Sequence, residues 1–187
     1  MHLIESVLIK SLVRPDHSEV DKIKIRFGVQ TILSNGMKLL MVYATAILLG
    51  CLIPTLITHA GFFILRQVSL GYHFKTEWSC ILWSIFAFPV LALVLERISL
   101  PSESIWAAAF AALLFIALAG PAGTKKNPIQ NKYHYQYLQK KLLIRLLIVV
   151  GALVLSSNDI RQFLVLGIVV QGVALGIQLL KREEGFR

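Results

Sequence analysis

Apolar residues in this chain come in blocks separated by short polar stretches, not in stripes one helical face wide. Six blocks can be bounded: Met37 to Ile53, Pro54 to Leu65, Cys80 to Leu95, Ile105 to Gly120, Leu142 to Ser156 and Ile160 to Leu180. A helix needs about 20 apolar residues to cross a bilayer, with roughly 17 as the lower limit. The first and last blocks reach that length alone, and several others reach it with their flanks. Pro54 to Leu65 is clearly short. It reads as a half-helix or re-entrant segment, tolerated where its free backbone groups face protein or water. Pro89 is expected to kink the third block. Gly172-x-x-x-Gly176 in the last block permits close helix approach. Packing within the chain is its main expected use, and a homodimer seam the lesser one.

Residues 1–35 carry a different pattern. Leu3, Ile4, Val7, Leu8 and Leu12 recur at helical spacing until Pro15-Asp16 breaks the run. Ser18-x-x-Asp21 then resembles a capping box, and Val20, Ile23 and Phe27 form a second stripe. Lys10, Arg14, Lys22, Lys24 and Arg26 flank both stripes. Two short amphipathic helices are expected, lying on the membrane surface or against the protein's own cytoplasmic loops. The fold class is all-α: a polytopic membrane helix bundle of about six apolar segments with amphipathic N-terminal helices. The expected organisation is residues 1–35 interfacial and residues 36–187 a membrane domain.

Composition decides between a bilayer and a large soluble core. The 187 residues are 56% hydrophobic and 16% charged, with a mean hydropathy of +0.70. Soluble domains carry about 25% charged residues, so the bilayer is favoured. The net charge of +9 raises nucleic acid as a partner, but no helix-turn-helix, zinc or aromatic-basic motif supports it. The basic residues sit between the blocks instead, where anionic lipid attracts them. The stretch through Lys38, the 66–79 linker, the 121–141 linker and the tail from Lys181 are basic; the other short loops hold only Arg97 and Arg161. By the positive-inside rule the four basic regions are cytoplasmic. The stretch from 37 to 65 must then cross and return, with a turn near Pro54, and six crossings put both termini inside. No cleavable signal peptide with an apolar core is evident at the N-terminus, so the internal spans are expected to direct insertion.

Two cysteines, Cys51 and Cys80, make no disulfide framework, and no Cys/His cluster has zinc spacing. Neither a metal nor another cofactor is implied. The informative stretch runs from Arg66 to Cys80 and holds His73, Lys75 and Glu77. A thiolate is the nucleophilic form of cysteine, and nearby imidazole or positive charge favours it. Seven residues of unbroken helix would separate His73 from Cys80 by roughly 10 Å, beyond the roughly 3 Å reach of a hydrogen bond. A dyad therefore requires the chain to fold back between them. Cys80 is expected at the start of its helix, where the helix dipole supports a thiolate, and Gly71 would let the backbone turn. Spacing alone leaves a plainer alternative open, a packed cysteine and an interfacial histidine. Cys51 and His59 pair the same residue types inside apolar blocks without neighbouring charge, and read as structural.

The segment Arg66-x4-Gly71-x-His73-x6-Cys80-x3-Ser84 resembles the catalytic segment of the AgrB family, bacterial quorum-sensing endopeptidases that process AgrD-type propeptides. Three further pieces resemble the family in order. They are Arg26-x-Gly28-x-Gln30-x4-Asn35-x2-Lys38-Leu39, Pro121-Ala122-x-Thr124-Lys125-Lys126-x-Pro128-Ile129, and Gln162-Phe163 with Leu166-Gly167. The resemblance covers nearly the whole chain. It implies that Cys80 is the nucleophile and His73 the base, with Arg66 and Gly71 as supporting positions. Glu77 and Ser84 are alternatives for orienting the imidazole. Many family members have a second glycine where this chain has Leu70.

The implied reaction cleaves an AgrD-like propeptide near its C-terminus through a thioester and promotes its cyclisation to a thiolactone or lactone. The implied setting is the bacterial cell membrane, with the catalytic segment cytoplasmic and lipid and propeptide as partners. Such propeptides have an amphipathic leader and an acidic tail, and Lys125, Lys126, Lys132, Lys140 and Lys141 are candidates to receive the tail. Lysines that merely set topology are the competing reading. A non-enzymatic peptide exporter is the alternative from another class; intramembrane charges would favour it, and apart from Arg145 there are almost none.

Overall fold

A computed structural model describes residues 2–14, 16–72, 74, 76–98, 100–124 and 128–181, with residues 2–4 in backbone only. The chain order is α1 (His2–Leu12), α2 (Glu19–Leu48), α3 (Leu52–Ser69), α4 (Glu77–Ile85), a π-helical turn (Phe86–Val90), α5 (Leu91–Glu96), α6 (Ser102–Ala119), α7 (Lys132–Leu155) and α8 (Asn158–Leu180). The π turn joins α4 and α5 into one rod, Glu77–Glu96. It sits where Pro89 has no N–H to give and its ring excludes a regular ladder, so the expected distortion falls at that residue.

Among the described residues, four helices are long and apolar enough to cross a membrane: α2, the α4–α5 rod, α6 and α8. The expected count was about six. Outside the four are α3, interrupted by His59 and Arg66-Gln67, and α7, which carries Lys140, Lys141 and Arg145.

Two boundaries differ from the expectation. Ser18 caps α2 as its spacing predicts, its hydroxyl accepting from the Asp21 N–H at 3.2 Å and donating to the Asp21 carboxylate at 2.6 Å. The helix then runs for 30 residues without a break at 35 or 36. The second amphipathic stretch and the first apolar block are one element, because no Pro or cap signal separates them. The stretch around Pro54 is not a half-helix either. It forms the 18-residue α3, about 27 Å long, because Arg66, Gln67 and Ser69 remain helical beyond the apolar block. The reversal before it is made by Gly50, at φ 71°, with the Cys51 N–H donating to the Ala46 carbonyl at 2.9 Å and the Gly50 N–H to Ile47 at 3.1 Å. This glycine-capped helix end lies a few residues ahead of Pro54. The proline falls in the first turn of α3, where a missing N–H costs nothing.

The centre of the bundle is α8: 56% of its apolar window is buried by protein, against 11% for α2. Its closest partner is α3. A Cβ on Gly167 would overlap the Thr58 carbonyl and the Phe62 amide, and one on Gly61 would lie 2.7 Å from the Leu164 carbonyl. These two glycines let the helix backbones touch. Gly172 and Gly176 have the weaker role of facing the Phe115 ring of α6, at ordinary contact distances of 3.8 and 3.6 Å for an added Cβ. Leu65, Ile116, Leu142, Leu153, Ile168 and Leu175 fill the core between α3, α6, α7 and α8. Arg145 crosses from α7 to donate to the Ile64 carbonyl of α3 at 2.6 Å, so its charge is met by a backbone dipole inside the bundle.

Candidate functional site

The end of α3 is where the chain turns toward Cys80. Leu70 closes the helix at φ 59°, ψ −145°, followed by Gly71 at φ 130°. A β-carbon at such angles crowds the backbone, so glycine is the residue that takes them freely. Leu70 bears that strain. Gly71 meets a second demand: an added Cβ would overlap the Arg66 guanidinium and approach the Ala174 carbonyl at 3.4 Å.

Arg66 holds the turn from inside. Its guanidinium donates to the Leu70 carbonyl at 3.1 Å and the Tyr72 carbonyl at 2.8 Å, and lies 5.8 Å from the centre of the Phe62 ring. One rigid fork thus satisfies two carbonyls beyond the helix end. The same guanidinium lies close enough to Cys80 for the two to interact electrostatically.

The remaining grips come from α8 and the 120–124 segment. The Tyr72 N–H donates to the Ala174 carbonyl at 3.0 Å, and the Ala122 N–H to the Ser69 carbonyl at 3.0 Å. Gln171, fully buried, donates to the Ser69 hydroxyl at 2.7 Å and the Leu70 carbonyl at 2.6 Å. Gln178 donates to the Gly123 carbonyl at 3.0 Å, and Lys181 to the Tyr72 hydroxyl at 2.9 Å. Residues 171, 174, 178 and 181 share one face of α8, since side chains three and four apart align. Sequence reasoning passed over this stripe. Its one visible signal was a pair of amides, seven residues apart, in an otherwise apolar span, where polar side chains commonly bind helices together.

Beyond the turn, Phe74 packs edge-on to Tyr72 at 5.2 Å and against Trp83 of α4 at 5.7 Å. Thr76 caps α4, its hydroxyl accepting from the Ser79 N–H at 3.2 Å, and its carbonyl takes the Cys80 N–H at 3.2 Å. Cys80 is therefore the fourth residue of its helix, as expected, with a half-buried free thiol. The predicted His73 lies outside the described residues, as do Lys125 and Lys126. Their neighbours are placed: Tyr72 against Arg66 and α8, Phe74 against the helix that carries Cys80.

The other predicted positions separate. Glu77 is exposed in the first turn of α4, beside a shallow cleft also lined by Met37, Lys38, Met41 and Ile81. Ser84 donates to the Cys80 carbonyl at 2.8 Å, so its proton is engaged. Lys132, Lys140 and Lys141 are exposed on α7 but point to different sides of it, at roughly 0°, 80° and 180° around the axis. Among the described residues no group of three or more His, Cys, Asp or Glu is arranged to hold a metal ion.

Fold and site together define an all-helical membrane protein with a free cysteine at the start of an apolar rod, beside an arginine-clamped turn. The chain belongs to the accessory gene regulator B family, AgrB, whose model matches residues 4–175. It is 32% identical over 156 residues to the accessory gene regulator protein B of Staphylococcus carnosus, covering 81% of this chain and 79% of that one. Identity to the Staphylococcus intermedius protein of the same name is 28% over 172 residues, with coverage of 92% and 91%. For the Staphylococcus aureus RF122 protein it is 29% over 160 residues, covering 86% and 84%. No solved structure matches the chain. Family membership gives the chain a role in the accessory gene regulator quorum-sensing system.

Proposed function

We propose that the chain is a membrane-embedded cysteine endopeptidase that cleaves an AgrD-like propeptide near its C-terminus and promotes closure of the product into a thiolactone or lactone. One arrangement carries the reading. The two residues that flank position 73 are tied into the surroundings of Cys80, Tyr72 through Arg66 and Phe74 through Trp83.

In the proposed reaction His73 takes the proton of the Cys80 thiol, and the sulfur attacks a peptide carbonyl. The tetrahedral oxyanion collapses, and His73 gives its proton to the departing amine. The acyl-enzyme is a thioester, so most of the peptide bond's free energy is kept. A substrate thiol or hydroxyl then attacks that carbonyl, its proton passes to His73, and the Cys80 sulfur leaves. Arg66 supplies positive charge beside the sulfur, and the start of α4 supplies the positive end of a helix dipole. The first-turn N–H groups of Glu77 and Trp78 are the proposed oxyanion donors, since those of Ser79 and Cys80 are engaged by Thr76. With the Ser84 proton committed, Glu77 is the proposed partner for the imidazole. Exclusion of water at the membrane boundary lets the internal nucleophile compete with hydrolysis.

The site and both termini are assigned to the cytoplasmic face, where the basic loops meet anionic lipid, with α3 and α7 crossing as well as the four more apolar helices. The acidic propeptide tail is assigned to Lys125, Lys126, Lys132 and Lys140, with Lys141 turned to the opposite side of α7 from Lys132. Charge reversal there is expected to raise KM while sparing membrane insertion, and an unchanged KM retires that assignment. The decisive experiment is incubation of the purified protein with its propeptide in lipid vesicles. Cys80→Ala and His73→Ala are expected to abolish cleavage and Cys51→Ala to retain it. Cleavage that persists in Cys80→Ala, or a wild-type protein that moves the peptide uncut, overturns the reading.

A further inference from the structure

Leu70 occupies backbone angles that a leucine does not choose, so something outside the turn must hold it there. Its carbonyl takes two donors from opposite sides, Arg66 of α3 at 3.1 Å and Gln171 of α8 at 2.6 Å. Gln171 also donates to the Ser69 hydroxyl at 2.7 Å, and that hydroxyl in turn donates to the Leu65 carbonyl at 2.9 Å. The Gln171 side chain is fully buried, and its own carbonyl oxygen has no hydrogen-bond partner. An amide kept in an apolar helix with one half unsatisfied costs free energy, and the donor half makes the contacts that oppose relaxation of residue 70.

We propose that Gln171 is a positioning residue for the site: it locks the strained Leu70 turn, and through that turn it sets where the Arg66 guanidinium sits relative to the Cys80 sulfur. The hydrogen bonds of Gln171 go to Ser69 and Leu70, not to Cys80. Its effect passes through a carbonyl that Arg66 also grips, so loosening residue 70 frees one of the two anchors of the guanidinium. The consequence for peptide turnover rests on the peptidase reading, whereas the consequence for thiol reactivity does not.

The test is a double-mutant comparison. Gln171→Leu, with Gln171→Met as the unbranched second variant, is made in the parent chain and in the Leu70→Gly chain. Glycine adopts the observed angles without strain, so the turn no longer needs the lock. In the parent, either Gln171 substitution should lower kcat for propeptide cleavage roughly tenfold with KM little changed, the order expected from one charge-free buried hydrogen bond. It should also slow iodoacetamide alkylation of Cys80 in the Cys51→Ala background severalfold. In the Leu70→Gly chain both losses should shrink below about threefold, by the coupling expected of residues in one network. Equal losses in the two backgrounds overturn the proposal, as does a change confined to KM. If the Gln171 variants unfold in detergent in the parent but remain folded with Leu70→Gly, the coupling is upheld at the level of stability. If they unfold equally in both, Gln171 serves the bundle core and the proposal fails. Should Cys80→Ala retain cleavage, the peptidase reading falls while the alkylation arm still decides the role of Gln171.

Discussion

The two ends of α3 each carry a cysteine neighbourhood, and they are opposites. At its start, Cys51 is fully buried, with its sulfur 3.7 Å from the Thr55 hydroxyl and 3.5 Å from the Pro89 carbonyl. His59, roughly 12 Å further along the helix, is occupied by the Tyr43 hydroxyl at 2.7 Å and stacked on Phe88 at 4.7 Å. At the other end the chain bends back through Leu70 and Gly71, and Cys80 is half-buried near a guanidinium. Apolar groups and neutral hydrogen bonds enclose Cys51 and His59. At the Cys80 end, partial exposure, a guanidinium and a helix start coincide.

Thiol labelling attacks this contrast most directly. Under native conditions Cys80 is expected to react with iodoacetamide at least about 100-fold faster than Cys51, given how strongly thiol reactivity follows exposure and thiolate character. Mass spectrometry of the two peptides reads the ratio, and comparable rates would erase the distinction. Next in size is Gly71→Ala. A methyl at φ 130° that also overlaps Arg66 should cost about 2–4 kcal/mol of local stability. It should suppress peptide cleavage while the helical circular dichroism signal is kept. Normal turnover in that variant would show that the turn is not needed.

At the Cys51 end, Tyr43→Phe removes one hydrogen bond to His59, for an expected loss of about 1 kcal/mol. Unfolding in detergent should register it and propeptide turnover should not; a turnover defect would mean that the two ends of α3 are coupled. The smallest effect belongs to Leu70→Gly. Relief of a left-handed leucine, offset by the greater freedom of glycine in the unfolded chain, should leave a net gain of up to about 1 kcal/mol. A clear loss would mean that the leucine side chain contributes packing that outweighs the strain.

Much of the bundle could be read from the order of residues because a bilayer imposes a simple length and polarity rule. The capping of α2 by Ser18, the π-helical distortion at Pro89 and the position of Cys80 at a helix start follow from local chemistry. The reading failed where a polar residue keeps its helix by turning inward. Arg66 and Gln67 seemed to end an apolar block, yet Arg66 satisfies carbonyls and α3 continues to Ser69. The boundary expected near residue 35 failed for the converse reason. A change from amphipathic to apolar composition alters what a helix faces without interrupting its backbone bonds.

The candidate site divides along the same line. Its reactive types and their spacing were visible, as was the requirement that the chain reverse ahead of Cys80. The means of reversal was not, because its partners lie about a hundred residues away: Gln171, Ala174 and Lys181 meet Ser69, Leu70 and Tyr72 across the α3–α8 contact. Local sequence determined the helices, the membrane class and the chemical groups on offer, since these depend on hydropathy and on near neighbours. Only the tertiary structure decided which carbonyls Arg66 clamps and which polar side chains hold the turn. Those outcomes depend on Gly61 and Gly167 letting two helices meet at backbone distance, a contact that no local pattern specifies.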